Sequence, residues 1–228
     1  MKISVIIPVR NEEANIRQAI ERAISMRPHE VIVVDGESAD ATLENARDAE
    51  CVVLQSAAGR AKQQNTGAKQ ATGDVLLFLH ADCWFDCEAI TQITELLDDE
   101  RIAGGAFVHR IDAPGFLFRL IERGDSLRVR LLRSAYGDQG IFVRRDVFHS
   151  LGGFPDVRLM EDVLFIRRLR KQSRIALLPG PLHTSARRWQ KHGVIRQTLR
   201  NWFILTAEKL GVSPDKLAAY YEPHWRKS

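Results

Sequence analysis

Apolar, β-branched runs alternate with amphipathic segments through the first hundred residues. Lys2–Val9 has the continuous apolar pattern of a strand buried on both faces, whereas the apolar residues of Ile16–Ile24 recur at helical spacing. Asn11 is predicted to cap this first helix and Pro28 to end it. Further strands are predicted over Glu30–Val34, Cys51–Gln55 and Val75–Leu79, and further helices over Thr42–Ala49, Gln63–Ala71 and Glu88–Leu97. This order predicts an α/β fold, a mostly parallel sheet with helices on both faces.

The second half of the chain has a less regular pattern. Residues 195–228 indicate a helix that packs on the domain or on a partner. The sequence contains no internal repeat, linker or low-complexity segment, so residues 1–228 are predicted to form a single domain. Strands are predicted over Gly104–Ile111 and Gly140–Arg144, and helices over Asp146–Leu151, Glu161–Gln172 and Phe116–Ser134, the last interrupted or bent near Gly124.

Composition narrows the class of protein. The chain has 228 residues, of which 45% are hydrophobic and 27% charged, a globular mixture that excludes a disordered chain. The longest stretch without Asp, Glu, Lys or Arg has 12 residues, Ile175–Ala186, and holds two prolines, so no membrane-spanning helix is expected. The N-terminus lacks a signal-peptide pattern, and Cys51, Cys83 and Cys87 lack zinc-ligand spacing. We therefore expect a cytoplasmic protein with reduced thiols.

Charge is distributed unevenly along the chain. Residues 1–100 carry 9 Lys/Arg and 18 Asp/Glu, net −9, whereas residues 101–228 carry 24 and 11, net +13. A basic half indicates either an anionic partner or a solvated face. On the helix predicted from residue 116, arginines share one face and apolar residues another. The arginine face is read as a solvated surface, an anionic-lipid contact or an oligomer interface, and the apolar face could equally be ordinary core. The arginines are Arg119, Arg123, Arg130 and Arg133, and the apolar residues are Phe116, Leu120, Leu127 and Leu131.

Candidate chemistry lies at the ends of the predicted strands. The sequence has no G-x-G-x-x-G, G-K-[ST] or G-x-S-x-G motif, and no nucleic-acid-binding motif accompanies the basic half, so nucleic acid is not an expected partner. Asp35 and Asp82 each follow a buried strand, so their carboxylates can converge in one crevice. One can accept hydrogen bonds from a nucleobase or ribose while the other holds a divalent cation. The alternatives are a turn residue at Asp35 and a helix cap at Asp82.

Five segments stand in the order and at the separations of a known family. They are Ile3–Asn11, Val31–Thr42, Gly67–Asp82, Gln139–Phe154 and Glu161–Arg168. Together they resemble the inverting family-two glycosyltransferases of the GT-A fold, and most of all their small, soluble bacterial members. The resemblance covers most of the chain. It implies transfer of a sugar from a nucleotide-sugar donor with the help of a divalent metal, Mn²⁺ or Mg²⁺.

The resemblance implies which residues bind the nucleotide. Asp35 matches the aspartate that reads the uracil edge, and Gly36 stands where the family commonly has a second Asp. The family's Asp-x-Asp motif is His80-Ala81-Asp82 here, so Asp82 is the implied metal ligand, and imidazole can take the first position. His183 resembles a late histidine that joins the metal. The residues implied for nucleotide binding are Pro8, Arg10, Glu12, Asp35, Arg60, Lys62 and His80.

The resemblance also implies a catalytic set. Asp162 is the implied general base and Glu161 orients the acceptor, with complementation of a helix dipole as the alternative. Arg187 and Arg188 lie in a shortened Q-x-x-R-W motif and are assigned to the diphosphate. The implied acceptor contacts are Asp138, Gln139 and Trp189, for which turn formation or core packing are the alternatives.

These assignments predict a metal-dependent inverting glycosyltransferase that uses a nucleotide sugar, preferably a UDP-sugar, and an unknown hydroxyl acceptor, either a small molecule or lipid-linked. Residues 1–100 would bind the nucleotide, residues 101–190 the acceptor, and residues 191–228 would form a C-terminal helical segment. Two alternatives stay open. One is a sugar-nucleotide-binding protein without transfer. The other is a sugar-phosphate nucleotidyltransferase, which normally has a Gly-rich loop after the first strand, whereas residues 8–12 contain no glycine.

Overall fold

The computed structural model describes residues 1–86 and 88–221, and these residues form one eight-stranded sheet. The strand order is β3-β2-β1-β4-β7-β6-β8-β5. Pairing is parallel for β1–β2, β1–β4, β2–β3 and β6–β8, and antiparallel for β4–β7, β6–β7 and β5–β8. The strands are β1 (Ile3–Val9), β2 (Glu30–Asp35), β3 (Val52–Gln55), β4 (Val75–Phe78), β5 (Cys83–Phe85), β6 (Ile102–Asp112), β7 (Phe142–Arg144) and β8 (Arg174–Ser185).

Helices cover both faces of this sheet. One apolar cluster packs Ile16, Ile20 and Ile93 against the sheet, and the other packs Ala68 and Phe165 against its opposite face. The predicted α/β fold is therefore confirmed. The helices are α1 (Ile16–Ser25), α2 (Thr42–Arg47), α3 (Arg60–Gln70), α4 (Ala89–Leu96), α5 (Phe116–Leu132), α6 (Arg145–Ser150), α7 (Glu161–Gln172), α8 (Arg187–His192), α9 (Val194–Lys209) and α10 (Pro214–Leu217).

The prediction that Asn11 caps the first helix is wrong. Asn11 has φ +52°, in the left-handed region that asparagine tolerates, and helix α1 begins only at Ile16. Its side-chain oxygen instead accepts a hydrogen bond from the Ala39 N–H at 2.8 Å, and its own N–H donates to the Ser38 hydroxyl at 2.9 Å. Asn11 therefore joins the loop after β1 to the loop after β2.

Helix α5 differs from its prediction in one way and decides one alternative that the sequence left open. It is continuous through Gly124, because this glycine faces open space and no packing contact demands a bend. Its buried face consists of Phe118 and Val129, whereas the predicted apolar face at Phe116, Leu120, Leu127 and Leu131 is exposed. The structure therefore excludes the alternative that these four residues belong to the core.

Strands β5 and β8 were not predicted. Strand β8 covers all but the last residue of the stretch 175–186, which lacks Asp, Glu, Lys and Arg and whose Pro179, Gly180 and Pro181 argue against a regular strand. It pairs with β6 all the same, because a register shift between Phe107 and His109 accommodates the interruption. This pairing brings the end of β8 to the sheet edge where β1, β2 and β4 also end, and the Ser185 N–H donates to the Asp82 carbonyl at 3.1 Å.

The described residues bear on two expectations, the absence of a membrane-spanning helix and the reduced state of the cysteines. No helix among residues 1–86 and 88–221 combines the length and apolar content that a bilayer crossing requires. Cys51 and Cys83 are free thiols, and burial raises the pKa of both. Cys87 lies outside the described residues.

Candidate active site

Two adjoining cavities open at the edge of the sheet where β1, β4 and β8 end. The first has a volume of about 300 Å³ and is lined by the loop after β1 and the start of α3. The second has a volume of about 150 Å³ and is lined by the start of α7, the end of β8 and one side of α9. Five residues line both cavities and so form their junction: Arg60, His80, Asp82, Leu159 and Tyr221.

The first cavity collects most of the residues predicted to bind a nucleotide. Pro8, Arg10 and Glu12 line it together with the junction residues Arg60 and His80. Lys62 does not line it, because its ammonium nitrogen points to Asp156 at 3.9 Å and the side chain is exposed. The structure therefore does not bring Lys62 to the position that the sequence predicted.

Asp35 lies at the end of β2 and lines neither cavity. It is only 1% exposed, and one carboxylate oxygen accepts a hydrogen bond from the Ser38 N–H at 3.1 Å. The other oxygen, Oδ1, is buried without a hydrogen-bond partner. Because buried polar groups are nearly always paired, this oxygen is an acceptor that a ligand N–H would satisfy.

Gln63 explains why glycine stands at position 36. Its side-chain amide donates to the Val9 carbonyl at 2.7 Å and to the Val34 carbonyl at 2.9 Å, which joins the ends of β1 and β2. A Cβ at Gly36 would come within 2.6 Å of the Gln63 side chain. The space available to a second carboxylate at position 36 is therefore filled by Gln63, which no motif in the sequence indicated.

Arg60 is held at the junction by Glu161. Its Nε lies 2.6 Å from Oε1 of Glu161, whose side chain is almost completely buried. Burial alone would lower the pKa of Arg60, but the neighbouring Glu161 and Asp162 outweigh it and raise this pKa, so the guanidinium stays charged. Glu161 itself lines neither cavity. It positions Arg60 and does not reach the predicted acceptor side.

Removal of Glu161 is therefore expected to destabilise the fold. Glu161→Ala leaves the Arg60 charge without its partner, a change that costs about 3 kcal/mol because Arg60 keeps some solvent access. Thermal unfolding should shift down by roughly 6–12 °C, since 1 kcal/mol corresponds to about 2–4 °C at this chain length. Glu44→Ala is the matched control, because Glu44 is also an acid in the first turn of a helix but is exposed. Equal melting temperatures for the two variants would contradict the role of Glu161.

His80 is neutral at the junction. Burial and the Arg60 charge lower its pKa, and they outweigh Asp82, Asp138 and Asp162, which act in the opposite direction. A neutral imidazole can accept a hydrogen bond at one ring nitrogen and donate at the other. His80 thus lies between three carboxylates and a guanidinium at the meeting point of the cavities.

Asp82 is the junction carboxylate that could hold a metal ion. Its Oδ2 lies 3.3 Å from the Arg187 guanidinium, which also binds Glu12 at 2.6 Å. No group of three or more His, Cys, Asp or Glu side chains suited to a metal occurs within residues 1–86 and 88–221. Mg²⁺ is usually held by one or two carboxylates and by substrate phosphates, so a single Asp facing both cavities fits a metal that arrives with a diphosphate.

The structure does not bring His183 to Asp82. Its Nε2 lies 3.0 Å from the carboxylate of Asp86, and its ring stacks on Trp84 with centroids 5.4 Å apart. His183 lines neither cavity, whereas its neighbours Thr184 and Ser185 line the second one. The ion pair with Asp86 and the stack on Trp84 hold the His183 ring away from both cavities.

Asp162, the predicted general base, lines the second cavity. Helix α7 begins one residue before it, after Met160, which adopts φ +67°. Oδ2 of Asp162 accepts a hydrogen bond from the Gly137 N–H at 2.5 Å and Oδ1 accepts one from the Val163 N–H at 2.7 Å. Two backbone donors therefore fix the orientation of this carboxylate.

The residues predicted for the acceptor and the diphosphate do not all reach the second cavity. Asp138, Arg188 and Trp189 line the second cavity, and Arg188 donates a hydrogen bond to the Tyr221 hydroxyl. Trp189 also packs edge-on against Phe118 in a small apolar cluster.

Gln139 is not at the cavity. It is fully buried, and its side-chain oxygen accepts hydrogen bonds from Arg128 at 2.7 Å and from the Tyr136 N–H at 3.1 Å. The prediction of Gln139 as an acceptor contact is thus corrected: this residue holds the turn that carries Asp138.

Several lining residues had no recognisable signal in the sequence. The C-terminal segment contributes Asn201, Ile204, Leu205 and Tyr221 to the second cavity. Their spacing is that of an ordinary amphipathic helix, which does not tell a cavity wall from a packing surface. Only the packing of α9 beside α7, through the Arg167–Glu208 ion pair at 2.8 Å, reveals their place.

The fold and the site define the class of this protein. A mannosyltransferase from Pyrobaculum calidifontis, solved with GDP-Man and Mn²⁺, superposes with a TM-score of 0.65 at 20% identity, over 92% of this chain and 61% of the other. The fold is therefore that of the GT-A glycosyltransferases. Residues 4–152 match Glycosyl transferase family 2, and the chain belongs to that family, as the five segments predicted.

Two curated relatives are similar over part of the chain. Glycosyltransferase AglE of Haloferax volcanii is 30% identical over 176 residues, which cover 68% of this chain and 56% of that protein. A dolichol-phosphate mannosyltransferase of Pyrococcus furiosus is 29% identical over 137 residues, 54% of this chain and 39% of that protein. The matched part of the chain thus spans about half or less of the length of these relatives.

Proposed function

We propose that this chain is a metal-dependent inverting glycosyltransferase that moves a sugar from a UDP-sugar to an acceptor hydroxyl. The observation that carries the proposal is the meeting of two cavities at Asp82, His80 and Arg60. The loop after β1 lines one cavity, and Asp162, a carboxylate held in a fixed orientation, lines the other. A donor in the first cavity and an acceptor in the second would place their reacting atoms at this junction.

The nucleotide would bind beside Asp35. Its buried Oδ1 lacks a hydrogen-bond partner, and the N3–H of uracil is a donor that would satisfy it. The alternative donor class comes from the P. calidifontis structure, which holds GDP-Man. In this proposal residues 1–100 bind the donor, residues 101–190 carry the acceptor chemistry, and the C-terminal segment lines the acceptor side.

Positive charge at the junction would receive the leaving diphosphate. Asp82 would hold Mn²⁺ or Mg²⁺, which when bound neutralises charge on the diphosphate oxygens. Arg60 and Arg188 line the cavities at this point, and Arg187 lies 3.3 Å from Asp82. Such preorganised charges stabilise an anion that develops as the bond to the sugar breaks.

The transfer itself would need one base. The acceptor oxygen attacks the anomeric carbon from the face opposite the diphosphate, the bond between that carbon and the diphosphate oxygen breaks, and the electron pair leaves with UDP. The hydroxyl proton passes to a carboxylate oxygen of Asp162, which the Gly137 and Val163 N–H groups hold in place. Attack from the opposite face inverts the anomeric configuration.

A thermal-shift titration with UDP, GDP, CDP and TDP, each with and without Mn²⁺, tests the donor site. A ligand at about 100 times its dissociation constant adds roughly 2.7 kcal/mol of stability. We expect the largest shift with UDP plus Mn²⁺. A larger shift with GDP would overturn the uridine assignment. A UDP shift without sugar transfer to any acceptor would favour a binding protein, and pyrophosphate release from a nucleoside triphosphate and a sugar phosphate would favour a nucleotidyltransferase.

A further inference from the structure

Helices α5 and α9 each expose a stripe of large apolar side chains. At 100° per residue the side chains fall within an arc of about 60° on α5 and about 100° on α9. Phe116 is 74% exposed, Leu131 70% and Trp202 65%, values far from those of a buried helix face. The α5 stripe consists of Phe116, Leu120, Leu127 and Leu131, and the α9 stripe of Ile195, Leu199, Trp202 and Phe203.

The two helices share one apolar cluster beside the second cavity. Phe118 and Ile121 from α5, Trp189 from α8 and Val194 from α9 pack together. The inner side of α9 lines the second cavity with Ile204, which directly follows the exposed Trp202 and Phe203 in the chain and faces away from them. The stripes are therefore on helices that pack beside the acceptor side of the site. An exposed apolar stripe of this kind marks a binding surface for a protein or a membrane.

The charges next to the stripes favour an anionic surface. Exposed arginines are Arg123 and Arg130 of α5, Arg133 directly after α5, and Arg196 of α9. The acids of the same helices are paired inside the protein: on α5 Glu122 binds Arg119 and Asp125 binds Arg128, and on α9 Glu208 binds Arg167. The two helices thus present apolar and aromatic side chains bordered by positive charge, the pattern of helices that lie in a membrane interface.

We propose that the α5 and α9 stripes dock this protein on the surface of a bilayer that contains anionic lipids. The arginines bind the headgroups while Phe116, Trp202 and Phe203 enter the interface, where aromatic side chains are favoured. A second copy of the chain is a poorer occupant, because the cores of protein interfaces are depleted of charge and two such arginine borders would repel. On the proposed function, docking also places the acceptor side at the membrane surface, within reach of a membrane-borne acceptor.

Vesicle co-sedimentation tests the docking without any nucleotide. The full chain is mixed with vesicles of phosphatidylcholine alone, or of phosphatidylcholine with phosphatidylglycerol, at low and high salt. We expect the partition coefficient to be at least about tenfold higher on the anionic vesicles at low salt and to fall as salt screens the arginines. Equal binding to both vesicles, or none to either, would overturn the proposal.

Two pairs of variants separate the apolar and the charged contributions. Trp202→Ser/Phe203→Ser and Arg123→Gln/Arg130→Gln are each expected to lower binding to anionic vesicles roughly tenfold. Val52→Ser is the control for an exposed apolar residue on the far edge strand β3, and Arg47→Gln/Lys69→Gln is the control for exposed basic residues on α2 and α3. Losses as large in the controls would show a non-specific effect of charge or fold and would contradict the docking surface.

Two further measurements make the outcome specific. Each variant should keep the thermal shift that UDP and Mn²⁺ produce in the parent, because none of its residues lines the first cavity. If UDP and Mn²⁺ produced no thermal shift in the parent or in any variant, the proposed function would be refuted. The vesicle result would still hold. Light scattering after size exclusion should give a monomer, and a dimer that the Trp202→Ser/Phe203→Ser variant abolishes would assign the surface to a second copy instead.

Discussion

Asp162→Asn is expected to lower the rate of sugar transfer by about 10²–10⁴-fold, the usual contribution of a positioned base, with UDP binding unchanged. Asp162 lines only the second cavity, so its loss should not reach the nucleotide. The amide keeps the size of the carboxylate but cannot take a proton from the acceptor. Its single oxygen can accept only one of the hydrogen bonds that the Gly137 and Val163 N–H groups donate. Its NH₂ group then faces the other N–H, which costs about 1 kcal/mol of stability.

Transfer should be followed by UDP release under single-turnover and steady-state conditions, with the anomeric configuration of the product read by NMR. Asp146→Asn is the matched control, because Asp146 is also near the start of a helix but is exposed on α6. Transfer by Asp162→Asn at the parent rate would refute the base assignment. A product that retains the donor's anomeric configuration would refute the inverting mechanism.

Asp82→Ala is expected to abolish the increase in UDP affinity that Mn²⁺ produces and to lower transfer by about 10³-fold, since a metal supplies several kcal/mol of charge stabilisation in the transition state. Arg187 should stay in place without Asp82, because its guanidinium also binds both carboxylate oxygens of Glu12, at 2.6 and 3.1 Å. The variant should therefore fold. Isothermal titration of UDP with and without Mn²⁺ gives the two affinities.

Two control variants test where the metal lies. Asp86→Ala removes a nearby carboxylate that lines neither cavity, and His183→Ala removes the histidine that pairs with it. We expect both to keep the Mn²⁺ dependence of UDP binding. Loss of that dependence in His183→Ala would show that His183 moves to the metal when the substrate binds. Unchanged Mn²⁺ dependence in Asp82→Ala would refute the role of Asp82.

The fold was predictable where local pattern and tertiary pairing agree. Strands β1, β2 and β4 are continuous apolar runs because both their faces are buried. That pattern can be recognised in the sequence without knowing which strands lie beside them. Strand β8 escaped prediction because its prolines and Gly180 break the local pattern, and its pairing with β6 supplies the order. Helix α5 was placed correctly, but whether its apolar face is buried stayed open, since amphipathicity alone does not say which side is covered.

The sequence by itself determined the family, the α/β sheet and the approach of several site residues to one edge. Parallel strands end at the same edge, so Glu12, His80 and Asp82 follow from the strand order alone. Only the tertiary structure decided that Lys62, Gln139 and His183 lie elsewhere.

The physical reason is that the direction of a side chain depends on register, on strand alternation and on competing partners. Asp156, Arg128 and Asp86 hold those three residues away from the cavities. The placement of Arg187 beside Glu12, across 175 residues of chain, likewise has no local cause and arises only when β8 returns to the sheet edge.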